Sequence, residues 1–384
     1  MATVLVRSCW QYVNIGDIAH APGALRLARK CWPEARMVLW PLCDIRYGIA
    51  SMLHAAFPEV EILYGVLRPD GRLDPAVEAA FDEADIFVHA SGGALVSARE
   101  LVAWRGTDEP YAIWGVSMNK FDERDRELTA GAALCGLRDT DSVRRVHEGG
   151  VRHARFFPDT AFAFDLRDDE GARDYLAEAG LEPGFLVVIP RLRYTPYERM
   201  RPVRWTPERR RRVLDTNARC REKDLARLRQ VVSRWVEGSD RQILLAPEMT
   251  YQISLCEELY AGLDERTRSR TVVRDRFWLP DEAASVFHQA GVVLSMEMHS
   301  PILALSAGTP AIHVRQPEDT CKGQMWRDIG LDEWIFEVDA TSAEDWADAA
   351  LAAADDPAGS AERVQQAMDS VRTHHAEGLA LLTP

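Results

Sequence analysis

The stretch Gly291–Lys322, GVVLSMEMHSPILALSAGTPAIHVRQPEDTCK, decides how the rest of the chain is read. Val292, Val293 and Leu294 are a short apolar, β-branched run of the kind that forms a buried strand. Ser300-Pro301 then has the form of a helix start, with serine as the cap and proline at the first position, where a missing N–H costs nothing. Ile302, Leu303 and Leu305 supply an apolar face. Gly308 is suited to the left-handed residue that ends a helix, and Pro310 forbids its continuation. Ala311–Val314 resume as a strand. The unit is strand, turn, helix, strand, and it sets Glu297 and His299 at the carboxyl end of its first strand. An open parallel sheet places ligands at that end, and the helix N-terminus there favours anions.

Ser295, His299, Ala304, Gly308, Pro310 and the downstream Lys322 fit the pattern SxRLHxxIxAxxxGxP followed by lysine. In this the stretch resembles the polysaccharide pyruvyl transferase family, which is similar in fold to GT-B glycosyltransferases. One position departs from the pattern, for Glu297 stands where the family has arginine. The resemblance implies an α/β fold of two Rossmann-like, doubly wound domains facing each other across a cleft. It also implies an enzyme that transfers a pyruvyl group from phosphoenolpyruvate to a sugar of a cell-surface glycan or its precursor, as in bacterial exopolysaccharide biosynthesis.

The bulk properties agree with two domains. At 384 residues each half is long enough for its own core. A net charge of −14 argues against nonspecific binding to nucleic acid or anionic membranes. No stretch approaches the roughly 20 apolar residues that cross a bilayer. The first residues, MATVLVRSCW, read as a strand rather than a signal peptide, so a cytoplasmic location is expected. The seven cysteines form no CxxC pair, and no metal or cofactor site is expected.

Taken in order, Thr3–Arg7 is the first strand, followed by WQYVNIGD (residues 10–17). Asn14, Gly16 and Asp17 match the N-x-G-D turn of the same family. Asp17 is then a general base or an acceptor-binding carboxylate; alternatively, Asn14 and Asp17 make only turn and cap hydrogen bonds. Strands are expected at 37–42, 60–64, 86–89 and 111–116, with helices at 45–57 and 75–84. After the fourth strand, Ser91, Gly92 and Gly93 resemble the family's glycine-rich turn, where backbone approaches a ligand. Arg138-Asp139, Ser142 and Pro158–Phe162 resemble its R-D-x-x-S and P-D-x-A-F segments. Their other reading is a helix cap and an ion pair at the sheet edge.

The domain boundary is expected in the polar segment 168–184, giving domains at 1–178 and 179–384, on the acceptor and donor sides respectively. Strands are expected in the second half at 185–189, 242–246, 271–274, 292–295, 311–314 and 334–338, with two helices in the tail. Arg191 closes the first of these strands, where the family's arginine contacts the donor. The basic segment 191–223 follows, opening a helix at Thr206-Pro207-Glu208. Its arginines form either a solvated face or a flap over an anion.

Ketal pyruvyl transfer needs cations for the donor's phosphate and carboxylate, an acid for its methylene carbon, and a base for the sugar hydroxyl. The resemblance assigns His299 and Asp17 to proton transfer. Arg191, Lys322, Ser295, Glu297 and Arg315 fall to the donor, and Asn14, Gly16, Gly92, Gly93 and Arg138 to the acceptor or the cleft. A carboxylate at 297 opposes a trianionic donor. Either Arg315 or the basic segment then supplies the missing charge, or the donor is a nucleotide-sugar whose ribose hydroxyls Glu297 accepts. A non-catalytic sugar-binding protein on the same fold is the third possibility.

Overall fold

Short apolar runs, each followed by a helix, assemble into two parallel sheets in the computed structural model, which describes residues 2–201 and 203–382. The first sheet takes β1 (Thr3–Ser8), β2 (Arg36–Pro41), β3 (Glu61–Ile62), β4 (Ile86–His89), β5 (Tyr111–Val116), β6 (Leu134–Leu137) and β7 (Arg155–Phe156). Their order is β3-β2-β1-β4-β5-β6-β7. The second takes β8 (Leu186–Ile189), β9 (Ile243–Leu245), β10 (Thr271–Val273), β11 (Val292–Ser295), β12 (Ala311–Arg315) and β13 (Ile335–Glu337). Here the order is β10-β9-β8-β11-β12-β13. Each strand pairing is parallel.

The two sheets follow one plan. The first strand lies in the middle, the second and third extend one edge, and the fourth crosses to the other side. Chain direction away from the sheet therefore reverses between β1 and β4, and again between β8 and β11. Such a switch point opens a crevice at the strands' carboxyl ends. Helices cover both faces of a sheet of this kind, which is why the central strands read as unbroken apolar runs. β1, β4, β8 and β11 are buried along their whole length.

The chain divides into two compact units. The first holds the chain up to Tyr12, Gly16–Leu166 and the residues from Met368 on; the second holds Val13–Ile15 and Arg167–Ala367. The helix Asp169–Ala179 goes with the second unit, although a boundary at 178/179 would assign it to the first. Its ties explain this: Ser285 Oγ donates to Asp169 Oδ1 at 2.7 Å, and Arg167 donates to the Ala284 carbonyl. The tail helix Pro357–Leu379 starts in the second unit and ends in the first. There, His375 Nε2 lies 2.9 Å from the Pro158 carbonyl, and Gly378 packs so closely on Phe157 that an added Cβ would sit 2.5 Å from the ring.

One local difference from the sequence expectation has a plain cause. The helix expected at 45–57 spans Ile49–Ala56, because Tyr47 and Gly48 are left-handed, with φ of 59° and 87°. Gly308 does take the left-handed conformation, with φ of 86°. The helix expected at Thr206 forms as Pro207–Gly238, with the Thr206 hydroxyl accepting from Arg209 N at 3.3 Å. Among the described residues, no helix is long and apolar enough to cross a membrane, and no disulfide joins the seven cysteines.

Candidate active site

The crevice between β8 and β11 collects most of the charged residues singled out from the sequence. β8 ends at Ile189, and after Pro190 the chain delivers Arg191, which is buried. β11 ends at Ser295, whose hydroxyl accepts the Glu297 N–H at 2.9 Å and so turns that residue back over the strand end. Arg191 Nε lies 3.1 Å from Glu297 Oε1. Its Nη1 reaches Asp319 and, at 3.3 Å, Gln316 Oε1. Gln316 also donates to the Arg191 carbonyl at 3.3 Å, and its own N–H goes to Asp319 Oδ2 at 3.1 Å. One guanidinium thus sits between two carboxylates.

Burial decides how these charges settle. It pushes the Glu297 carboxyl up to about 7, opposed by Arg191 and assisted by the nearby charge of Glu248. Burial would raise Asp319 as well, but Arg191 and Lys322 outweigh it and hold that carboxyl below its ordinary value. For Arg191, burial works toward neutrality, and Asp319 and Glu297 raise it well above the usual guanidinium value instead. Lys322, half-buried at the end of the turn that begins at Asp319, attracts both carboxylates.

His299 is the first residue of the helix His299–Ser306 and is buried. Its Nδ1 stands 3.4 Å from Glu248 Oε1, a charge contact longer than a well-formed hydrogen bond. Glu248 follows β9 and is fully buried; its Oε2 accepts from Ser300 N at 2.6 Å and from Ser300 Oγ at 2.9 Å. Desolvation alone would raise this carboxyl, but His299 and Ser300 lower it, so it stays ionised and offers a counter-charge to an imidazolium. Ser300 therefore does not cap the helix through its side chain as expected: its hydroxyl is taken by Glu248, and the helix starts one residue before it.

Gln252 ties the two groups together. Its Oε1 accepts the N–H groups of Glu248 and Met249 at 2.7 and 2.9 Å, and its Nε2 donates to Glu297 Oε1 at 2.9 Å. Behind the strand end, His313 Nδ1 faces the Ser295 carbonyl at 3.2 Å, and burial drives its pKa down to about 4.

Arg315, which the resemblance assigns to the donor, makes its ion pair with Glu337. It lies at the end of β12, with Nη1 3.1 Å from Glu337 Oε1 on β13 and Nη2 donating to the Thr320 carbonyl at 2.7 Å. Glu297 takes Arg191 as its partner and not Arg315.

In the first unit, Asp17 lies in the opening turn of the helix Ile15–Cys31 and accepts a hydrogen bond from Gln11. Gly16 is buried in the same turn. Gly92 passes its carbonyl to Ser117 N at 2.9 Å and is hemmed by Ala94, Val96 and Trp10, where an added Cβ would meet atoms at 3.1–3.2 Å. Gly93 is exposed beside it. Arg138 is fully buried: Nε donates to Ser117 Oγ at 2.9 Å and Nη1 to Asp159 Oδ2 at 2.6 Å. Asp139 caps its helix through Ser142 N at 2.7 Å, and Asp159 Oδ1 accepts from Ala161 N and stands 3.2 Å from His20 Nε2. These are the cap and ion pair of the structural alternative. Asn14 belongs with the second unit, where it forms an antiparallel bridge with Met249.

Glu248, Gln252 and Asp319 were not singled out from the sequence. Glu248 did leave a signal, as a lone carboxylate directly after the apolar run ILLAP (residues 243–247) at a strand's carboxyl end.

No curated protein matches this chain. Among solved structures, the Anabaena protein HepE in complex with UDP is 11% identical, with a TM-score of 0.58 over 100% of this chain and 98% of its own. UDP-GlcNAc 2-epimerase from Neisseria meningitidis, bound to UDP-GlcNAc, is 10% identical, with a TM-score of 0.55 over 100% and 99% of the two chains. The ADP-heptose heptosyltransferase II of E. coli is 12% identical, with a TM-score of 0.54 over 93% and 99%. At these identities the likeness is one of fold, the GT-B-like pair of Rossmann-like domains. The family model described as polysaccharide pyruvyl transferase matches residues 14–316, from the N-x-G-D turn to the loop after β12. With that span matched, and with the histidine, glycine and proline of its signature in place around β11, the chain belongs to the polysaccharide pyruvyl transferase family.

Proposed function

We propose that the protein transfers a pyruvyl group from phosphoenolpyruvate to a sugar of a cell-surface glycan or its precursor. The observation that carries this is the His299–Glu248 pair at the β8/β11 switch point, in the same cluster as Arg191 and Lys322. Glu248 orients the imidazole and balances its protonated form, so His299 is suited to deliver a proton to the donor's methylene carbon. Carbon 2 then becomes electrophilic and a sugar hydroxyl adds to it, giving up its proton. Inorganic phosphate leaves, and a second hydroxyl closes the ketal. Arg191 and Lys322 are the candidate partners of the donor's anionic groups.

One observation favours a second reading, a GT-B-type glycosyltransferase that uses a nucleotide-sugar. Glu297 and Asp319 already surround Arg191, so a trianionic donor meets two carboxylates there. At an effective dielectric of about 20, like charges 4 Å apart cost on the order of 4 kcal/mol. Glu297 instead suits ribose hydroxyls, and the solved relatives in fold include complexes with UDP and UDP-GlcNAc.

Titration calorimetry of the wild type and Glu297→Arg, with phosphoenolpyruvate and with UDP-sugars, separates the two. Pyruvyl transfer expects wild-type binding of phosphoenolpyruvate that Glu297→Arg keeps or tightens. The nucleotide-sugar reading expects wild-type binding of a UDP-sugar that Glu297→Arg abolishes. Binding of neither donor by the wild type overturns both.

A further inference from the structure

A cavity of about 480 Å³ opens in the second unit between the basic segment and the residues that follow β9. Arg199, Arg221, Thr250, Tyr251 and Ser254 give it two guanidinium groups and three hydroxyls, and none of the described residues lining it is a carboxylate. It abuts the candidate active site through two chain neighbours. Tyr251, whose hydroxyl accepts from Leu192 N at 3.3 Å, precedes the Gln252 that holds Glu297, and Leu192 follows Arg191.

The charges around the cavity are unevenly spent. Glu198, next to Arg199, is committed elsewhere: Arg210 grips it through Nε at 2.8 Å and Nη2 at 3.1 Å, and it accepts from Trp205 N at 2.9 Å. Arg221 gives one nitrogen to Glu258. The exposed Arg199 has no carboxylate within ion-pair distance among the described residues. The segment is braced from outside, for Arg201 stacks over Tyr197 at 4.1 Å and Arg209 lies over Trp205 at 5.3 Å. Positive charge is scarce where Arg191 is enclosed by two carboxylates, and it is available beside Tyr251.

We propose that this cavity is an anion subsite that takes a phosphate group of the donor, with Arg199 and Arg221 as its cationic walls. This rests on the assignment of the neighbouring Arg191–His299 cluster as the donor site. A planar guanidinium matches two phosphate oxygens at once, and the hydroxyls of Thr250 and Ser254, which here donate to Met200 Sδ at 3.5 Å and to the Tyr251 carbonyl at 3.0 Å, turn toward a phosphate when it binds. The donor's remaining part then lies toward His299, and Glu297 no longer has to face a phosphate.

The test is titration calorimetry with inorganic phosphate, phosphoenolpyruvate, pyruvate, UDP and uridine on the wild type, Arg199→Ala and Arg221→Ala. Arg199 is exposed, so its removal spares the fold, which circular dichroism verifies. The expected result is a loss of about ten- to a hundredfold in affinity for phosphate and for whichever donor fragment carries it. Pyruvate and uridine are expected to bind as before. Unchanged phosphate affinity in both variants overturns the subsite. If phosphate binds in an Arg199-dependent way while neither phosphoenolpyruvate nor UDP binds, the donor assignment falls and the anion subsite stands.

Discussion

The carboxyl ends of the two sheets share a strand order but differ in what their charged groups hold. At the first, Asp139 and Asp159 each cap a helical turn through a backbone N–H, and they also bind the side chains of Ser117 and Arg138. At the second, Glu248, Glu297 and Asp319 gather around Arg191, His299 and Lys322, and burial leaves the Glu297 carboxyl near neutrality at about 7. The first arrangement stabilises a shape; the second keeps a proton that is easily gained or lost. Perturbed titration in a crevice is a pointer to chemistry, and at the second end it falls on a carboxyl, Glu297, in the same cluster as a histidine.

The sharpest way to break the contrast is to remove His299. His299→Ala should lower kcat about 10²- to 10⁴-fold with little loss of stability, measured by product formation alongside thermal unfolding. An unchanged rate would make the second cluster as structural as the first. Next in size is Arg138→Ala. It strands the buried Asp159 and should cost about 3–5 kcal/mol of stability in chemical denaturation. A cost under about 1 kcal/mol would show that His20 and the helix cap suffice for Asp159, and the first cluster would lose its structural standing.

Glu297→Gln is the finest probe. In the folded protein the Glu297 carboxyl is raised from its ordinary 4.5 to about 7, so between those values the folded state holds a proton that the unfolded state has released. Its stabilising effect is full below about 4.5 and is lost as pH rises through 7. The variant lacks this titration. Its stability relative to wild type should climb over that window by an amount on the order of 3 kcal/mol and level off above it. Parallel stability curves from pH 4.5 to 8 would refute the shifted carboxyl.

Much of the fold was legible from runs of residues buried on both faces. Val292–Ser295, Ile86–His89 and Tyr111–Val116 form strands with the limits that their apolar patterns suggest. Long-range partners were not legible. Arg315, eighteen positions after Glu297, looks like its natural mate, yet the chain brings Arg191 from more than a hundred positions away. Likewise the Ser300 hydroxyl goes to Glu248, which no local pattern around Ser300 discloses. The boundary near 178 followed a polar helix, but packing on the helix Pro280–Gln289 claims that segment for the second unit.

The return of residues beyond Met368 to the first unit sets a schedule for synthesis. His375 and Gly378, which close over Pro158 and Phe157, leave the ribosome only after roughly 200 residues of the second unit have been made. At about 5–20 residues per second, the first sheet waits on the order of 10–40 s for its last covering helix. During that interval Phe157 and the neighbouring strands β6 and β7 lack part of their cover. The domain that is translated first is therefore among the last parts of the protein to be finished.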